Sequence, residues 1–97
     1  MEFAWDEEKR QSIISEREID LARVARIFEG AVITEIDDRR DYGETRLISL
    51  GMIGEEAFYV VHTNRDGVTR LITAWNGGEH GKKRYQASIA GRHQADG

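Results

Sequence analysis

Residues 57–74 read AFYVVHT, NRDG, VTRLITA, and this stretch decides the fold. Residues 57–63 are almost wholly aromatic or β-branched, which suits a pleated, buried surface. Asn64-Arg65-Asp66-Gly67 reads as a tight turn, because Asp-Gly tolerates the positive φ that two-residue hairpin loops require. Residues 68–74 return as a second strand. A hairpin of this kind calls for antiparallel neighbours and a layer of helix to cover one face.

Upstream, the same alternating pattern continues. Residues 44–51 (ETRLISLG) read as a strand joined to the hairpin by a turn at 52–56 (MIGEE), and residues 31–36 (AVITEI) as another. A charged loop, DDRRDYG at 37–43, lies between them. Before the sheet the period becomes helical. Leu21, Val24, Ala25 and Phe28 fall at i, i+3, i+4 and i+7 behind Asp20 or Glu18, and Gly30 stands where a helix ends. An earlier helix is expected over residues 6–15, capped by Asp6 and buried through Ile13 and Ile14. Phe3-Ala4-Trp5 has the makings of a short opening strand. Downstream, Asn76-Gly77-Gly78 breaks the chain, residues 79–90 read as a short helix weakened by Gly81, and residues 91–97 as a frayed tail. The reading is one α+β domain over 1–90: two N-terminal helices on a four-stranded antiparallel meander, a short C-terminal helix, and a flexible tail at 91–97.

Composition narrows the function classes. Ninety-seven residues fit one core. The absence of cysteine excludes a disulfide scaffold and a cysteine-ligated zinc site, and suits a reducing, bacterial-type cytoplasm. His62, His80 and His93 are scattered without metal-ligand spacing, so no metal or other cofactor is expected. No apolar run is long enough to cross a bilayer, so no membrane association is expected. The acidic start MEFAWDEEKR does not read as a signal peptide. Residues 1–41 hold 12 acids and 7 bases, and residues 42–97 hold 6 acids and 7 bases. A basic site is therefore expected in the C-terminal part.

The candidate chemistry gathers around the last hairpin and helix: Arg65, Arg70, Lys82, Lys83 and Arg84, interleaved with Thr73, Trp75 and Tyr85. Simple alternation puts Arg70, Ile72 and Ala74 on one face of the strand and Leu71, Thr73 and Trp75 on the other. An arginine inside such a strand is either paired with a carboxylate, Glu44 or Glu79, or holds an anion. His62 reads as a hydrogen-bonded structural histidine. Trp5 and Trp75 read as core or interface, with base stacking as the other option. The Lys82-Lys83-Arg84 run reads as a solvated helix face, or as a surface that steers RNA or an acidic partner.

The order of these features resembles the BrnT toxin family of type II toxin–antitoxin systems. Phe3-x-Trp5-Asp6-x-x-Lys9 is similar to the family's opening, and Ile19-Asp20-Leu21-x-x-x-Ala25-x-x-Phe28 to its next helix. Asp41-x-x-Glu44-x-Arg46 with Gly51 is similar to the following strand. Arg65-x-x-x-x-Arg70-Leu71-Ile72-Thr73-Ala74, then Arg84-Tyr85, is similar to the end. Ser12 and Ser15-Glu16-Arg17 stand where the family has asparagine and Lys-His-Gly, and Trp75 where it has arginine.

The resemblance implies a RelE-like fold and a cytoplasmic endoribonuclease that inhibits translation and arrests growth. It implies a BrnA-like antitoxin carrying a DNA-binding domain, with DNA reached only through the toxin–antitoxin complex, and a homodimer or a heterotetramer with antitoxin as the assembly. Cleavage is expected to be metal-independent, with the ribose 2′-OH as nucleophile. Arg65, Arg70 and Thr73 are the expected phosphate contacts, with Glu79, His62 or Tyr85 for proton transfer. Lys9, Lys82, Lys83, Arg84 and Tyr85 would position RNA. Two rivals stand beside this. One is a weakened toxin relative that serves mainly to bind antitoxin. The other is a structural oligomer joined through exposed apolar surface on the strand at 57–63.

Overall fold

The computed structural model describes residues 1–96, with side chains for residues 1–91. The chain forms β1 (Glu2–Ala4), α1 (Glu7–Arg17), and α2 (Leu21–Val24), which tightens into a 3₁₀ turn over Ala25–Glu29. Then come β2 (Ile33–Ile36), β3 (Leu47–Ile53), β4 (Glu56–Arg65), β5 (Val68–Asn76) and α3 (Gly78–Asp96). The α+β class stands, but the sheet has five strands in the order β1-β5-β4-β3-β2. It is mixed rather than antiparallel: β1 lies parallel to β5, pairing Phe3 with Thr69 and Ala4 with Arg70. Three residues are too few to carry a pattern that would reveal such a strand's direction. The last helix is not short: it runs 19 residues to Asp96 instead of ending at Ala90. Of the tail expected over 91–97, Gly97 lies outside the described residues.

The caps follow from side-chain chemistry. Asp6 accepts a hydrogen bond from the Lys9 amide at 3.1 Å and opens α1. Asp20 accepts from the Ala22 amide at 2.9 Å and opens α2, while also holding the Arg10 guanidinium at 2.7 and 2.9 Å. In the β4–β5 turn, Asp66 and Gly67 have φ of 53° and 81°, the two positive values of a type I′ hairpin.

The 3₁₀ turn changes which side chains are buried. Successive turns of a 3₁₀ helix repeat every three residues. The fully buried row is accordingly Leu21, Val24 and Ile27, whereas Phe28 is only half-buried. Ile27, absent from the helical-period reading, joins Ile13, Phe58, Val60, Leu71 and Ala74 in the core between α1, α2 and the sheet. β4 is interior to the sheet, with residues 57, 58 and 60–63 buried. Of residues 57–63 only Tyr59 is not buried, so the strand offers little exposed apolar surface for a dimer. No helix is long and apolar enough to cross a membrane among the described residues.

His62 sits on this core side, its ring edge-on to Phe28 at 5.0 Å and its Nε2 2.7 Å from the Ser49 hydroxyl. Its Nδ1 is buried without a hydrogen bond. Burial lowers its pKa and keeps it neutral. In the unfolded chain an imidazole takes up a proton below about pH 6.5. The stability due to neutral His62 is thus complete above that pH and is lost as the pH falls below it. Between pH 7.5 and 5.5 this loss is expected to reach up to about 1.4 kcal/mol. Urea midpoints at the two pH values check it: the gap should shrink in His62→Gln. Asp20, Asp37 and Glu44 are held low by arginines, so their contribution is lost only at more acid pH.

Candidate functional site

The face of the sheet opposite the core carries Arg46, Arg65 and Arg70, and a bulge determines which residues of β5 join them. Val61 pairs with Thr73, but His62 pairs with Leu71, so Ile72 is the extra residue on β5. A bulge of one residue reverses the alternation beyond it. Leu71 and Ala74 therefore both enter the core, at 1% and 0% exposure. Arg70 comes to the same open face as Thr73 and Trp75, contrary to the expectation from uninterrupted alternation. The same side of β4 presents Arg65, and Arg46 precedes β3 in step with them.

Arg46, Arg65 and Arg70 line one groove of about 540 Å³ between α1 and the ends of the strands. Asp6, Glu8, Lys9 and Ser12 form its helical wall. Glu44, Arg46, Arg65 and Arg70 form the sheet side. Four cations against three carboxylates leave a small positive excess. The basic site thus draws Lys9 from the acidic part of the chain, because α1 folds back along β5.

The cations are held differently. Arg65 is bound to Glu44 at 2.7 Å, and Arg46 Nε lies 3.5 Å from the same carboxylate. Glu44 is held below the usual carboxylate range, first by Arg65. Arg46 also lies over the Tyr42 ring at 4.1 Å, a cation–π contact that fixes the guanidinium. The Arg70 side chain has no hydrogen bond or ion pair among the described residues, so neither Glu44 nor Glu79 is its partner. Half-buried at the groove and unpaired, it can give its donors to an anion.

The loop at 37–43 walls the same face. Asp37, with a side chain 1% exposed, accepts from Arg39 Nε at 2.7 Å, Arg39 Nη2 at 2.9 Å and the Tyr42 hydroxyl at 3.0 Å. These donors, Arg39 foremost, hold the carboxyl far below its ordinary range. The loop thereby sets Arg39 over the Trp75 ring at 5.6 Å.

The remaining expected site residues do not line the groove. Thr73 accepts a hydrogen bond from Arg17 Nη1 at 3.1 Å, and the same nitrogen donates to the Ala74 carbonyl at 2.9 Å. That bond satisfies the edge of β5 beyond the reach of β1. Glu79 is exposed in the first turn of α3, and Lys83 is exposed further along it. Lys82 bonds Glu55 at 2.8 Å. Arg84 donates to the Tyr59 hydroxyl at 3.3 Å and to Glu35. Tyr85 donates to the Ala31 carbonyl at 2.8 Å, tying α3 to the segment before β2. The expected set therefore divides: Lys9, Arg65 and Arg70 share the groove, while the α3 residues mostly anchor their helix. Arg46 and Glu8, absent from the expected set, belong to the groove. Arg46 was legible as the residue two positions after Glu44, on the same side of an extended chain.

The profile of one protein family, described as ribonuclease toxin, BrnT, of type II toxin-antitoxin system, matches residues 5–80. That span holds every residue lining the groove. No curated protein matches the chain significantly.

Proposed function

This chain belongs to the BrnT family of ribonuclease toxins of type II toxin–antitoxin systems, and we propose that it is a cytoplasmic, metal-independent endoribonuclease that inhibits translation until an antitoxin neutralises it. The observation that carries this reading is the unpaired Arg70 beside Arg65, Arg46 and Lys9 in one groove. Guanidinium groups suit a phosphodiester, whose oxygens accept their paired donors.

The ribose 2′-oxygen attacks the adjacent phosphorus, and the 5′-oxygen of the next nucleotide leaves. The products are a 2′,3′-cyclic phosphate and a 5′-hydroxyl. Such a reaction needs stabilisation of the charge that grows on the non-bridging oxygens, and two proton transfers. Arg70 and Arg65 supply the first, each well-placed donor being worth about 10²–10³ in rate. Lys9 and Arg46 position the backbone on either side. Of the three groove carboxylates, Asp6 caps α1 and Glu44 holds Arg65. This leaves Glu8 to take the 2′-OH proton, while solvent in the open groove gives a proton to the departing 5′-oxygen. His62, buried among Phe28 and Ser49, is too enclosed for that task. Thr73, Glu79 and the α3 cations lie outside the groove and take no part at the scissile phosphate.

A type II toxin is paired with an antitoxin. Here we take the partner to be a BrnA-like protein with a DNA-binding domain, through which the toxin–antitoxin complex reaches DNA. A second reading has a specific observation behind it: Glu44 occupies Arg65 and Glu35 occupies Arg84. On this reading the chain is a weakened toxin that chiefly binds antitoxin.

The test is cleavage of RNA by the purified chain in the presence of EDTA. Fragments ending in 2′,3′-cyclic phosphate are expected, and an RNA carrying a 2′-deoxyribose at the cut site should resist. Fragments ending in 3′-hydroxyl would overturn the mechanism. Intact RNA, together with normal growth of bacteria expressing the chain alone, would favour the binding module.

A further inference from the structure

A second concavity, of about 190 Å³, opens on the same sheet face beyond the groove. Tyr59 and Trp75 form its aromatic wall, their rings stacked at 5.5 Å and 22°. Ile33, Ile48 and Leu50 line it, and Glu35 and Arg84 close it with a paired acceptor and donor. Arg39, placed by the buried Asp37, stands over Trp75. Trp75 is neither core nor free: it is half-buried, braced by Tyr59 and approached by Arg39, while Arg84 lies over the Tyr59 ring.

We propose that this concavity is a base subsite, in which an unpaired nucleobase a few nucleotides along the strand from the scissile phosphate stacks against Trp75. The proposal rests on the nuclease reading above and names how the substrate is held. Three features carry it. The volume suits a single flat ring system. An aromatic face gives sequence-tolerant stacking to any base, and nearby guanidinium groups add cation–π attraction and backbone contacts. The placement also fits: Arg70 and Trp75 share a face and lie five residues apart on β5, a reach of roughly 16 Å. One single strand can occupy both sites. Glu35 and Arg84 then offer an acceptor and a donor to the edge of the stacked base.

The test uses a short 2′-O-methyl RNA, which has no 2′-OH to react, and copies with one abasic residue at successive positions. Fluorescence anisotropy reads binding. For the native chain, one abasic position should weaken binding about 5- to 100-fold, the stacking contribution of one base. Trp75→Ala should weaken binding of the intact oligomer by a similar factor and become indifferent to that abasic residue. Trp75→Phe should retain most of the affinity, which guards against a folding defect. Abasic copies that all bind the native chain like the parent would overturn the subsite. So would a Trp75→Ala chain that binds RNA normally but loses its antitoxin, which would make the concavity a protein-docking site. The two readings fail separately. Cleavage without an abasic signature sinks only the subsite, while an abasic signature without cleavage sinks only the nuclease. A native chain that neither binds the oligomer nor cleaves RNA sinks both.

Discussion

Replacing Arg70 by alanine is expected to slow RNA cleavage about 10²–10³-fold while leaving the fold intact. Both halves follow from how the side chain is held. Arg70 pairs through its backbone with Thr63 and Ala4, so its Cα position does not depend on its guanidinium. The guanidinium itself has no partner among the described residues. Its removal takes a donor from the groove without orphaning a carboxylate, so the thermal midpoint should barely move. Arg65→Ala should cost less, because part of that charge is already committed to Glu44. Arg70→Lys keeps the charge but loses the two-pronged geometry, and should recover only part of the rate. Single-turnover cleavage rates decide the matter. If Arg70→Ala cut RNA at the native rate, Arg70 would have no place in the reaction.

The hairpin was legible because its signals are local and agree: β-branched composition, an Asp-Gly turn, and a return strand. The family profile and the quoted motifs likewise needed only order and spacing. What escaped was set by longer-range geometry. The extra residue at Ile72 exists only relative to β4, since Leu71 and Ile72 are equally apolar and nothing in VTRLITA marks which one bulges. Yet that bulge decides whether Arg70 faces the core or the groove. Likewise α2 is short enough for tertiary packing to set its pitch, and the buried row moved to Ile27. The groove itself joins α1 to the sheet across some sixty residues of chain. Lys9, Arg65 and Arg70 were therefore readable as separate candidates, while their meeting in one groove with Glu8 and Arg46 was not.

Gly51 shows what the same packing demands of the backbone, and Gly51→Ala is expected to destabilise the protein by about 1–3 kcal/mol. Gly51 lies in the middle of β3, buried and paired with Phe58. A Cβ built there would stand 2.6 Å from the Ile27 Cβ and 3.2 Å from Val32 Cγ1. The Ile27 Cβ is the root of its side chain, so a rotamer change cannot relieve the clash. The 3₁₀ turn would have to lift off the sheet. Gly30, at the end of that turn, is the control: nothing lies within 4 Å of a Cβ there, and its φ of −115° is open to any residue. Gly30→Ala should be neutral or slightly stabilising, by reducing the freedom of the unfolded chain. For a domain of this size each 1 kcal/mol moves the thermal midpoint by about 4–8 °C, so scanning calorimetry resolves the two variants readily. Equal midpoints would mean that the turn yields at no cost, and that the close approach of Ile27 is not what makes glycine necessary in β3. A Gly51→Ala chain that remains folded should still cleave RNA, since the residue lies on the far side of the sheet from Arg70.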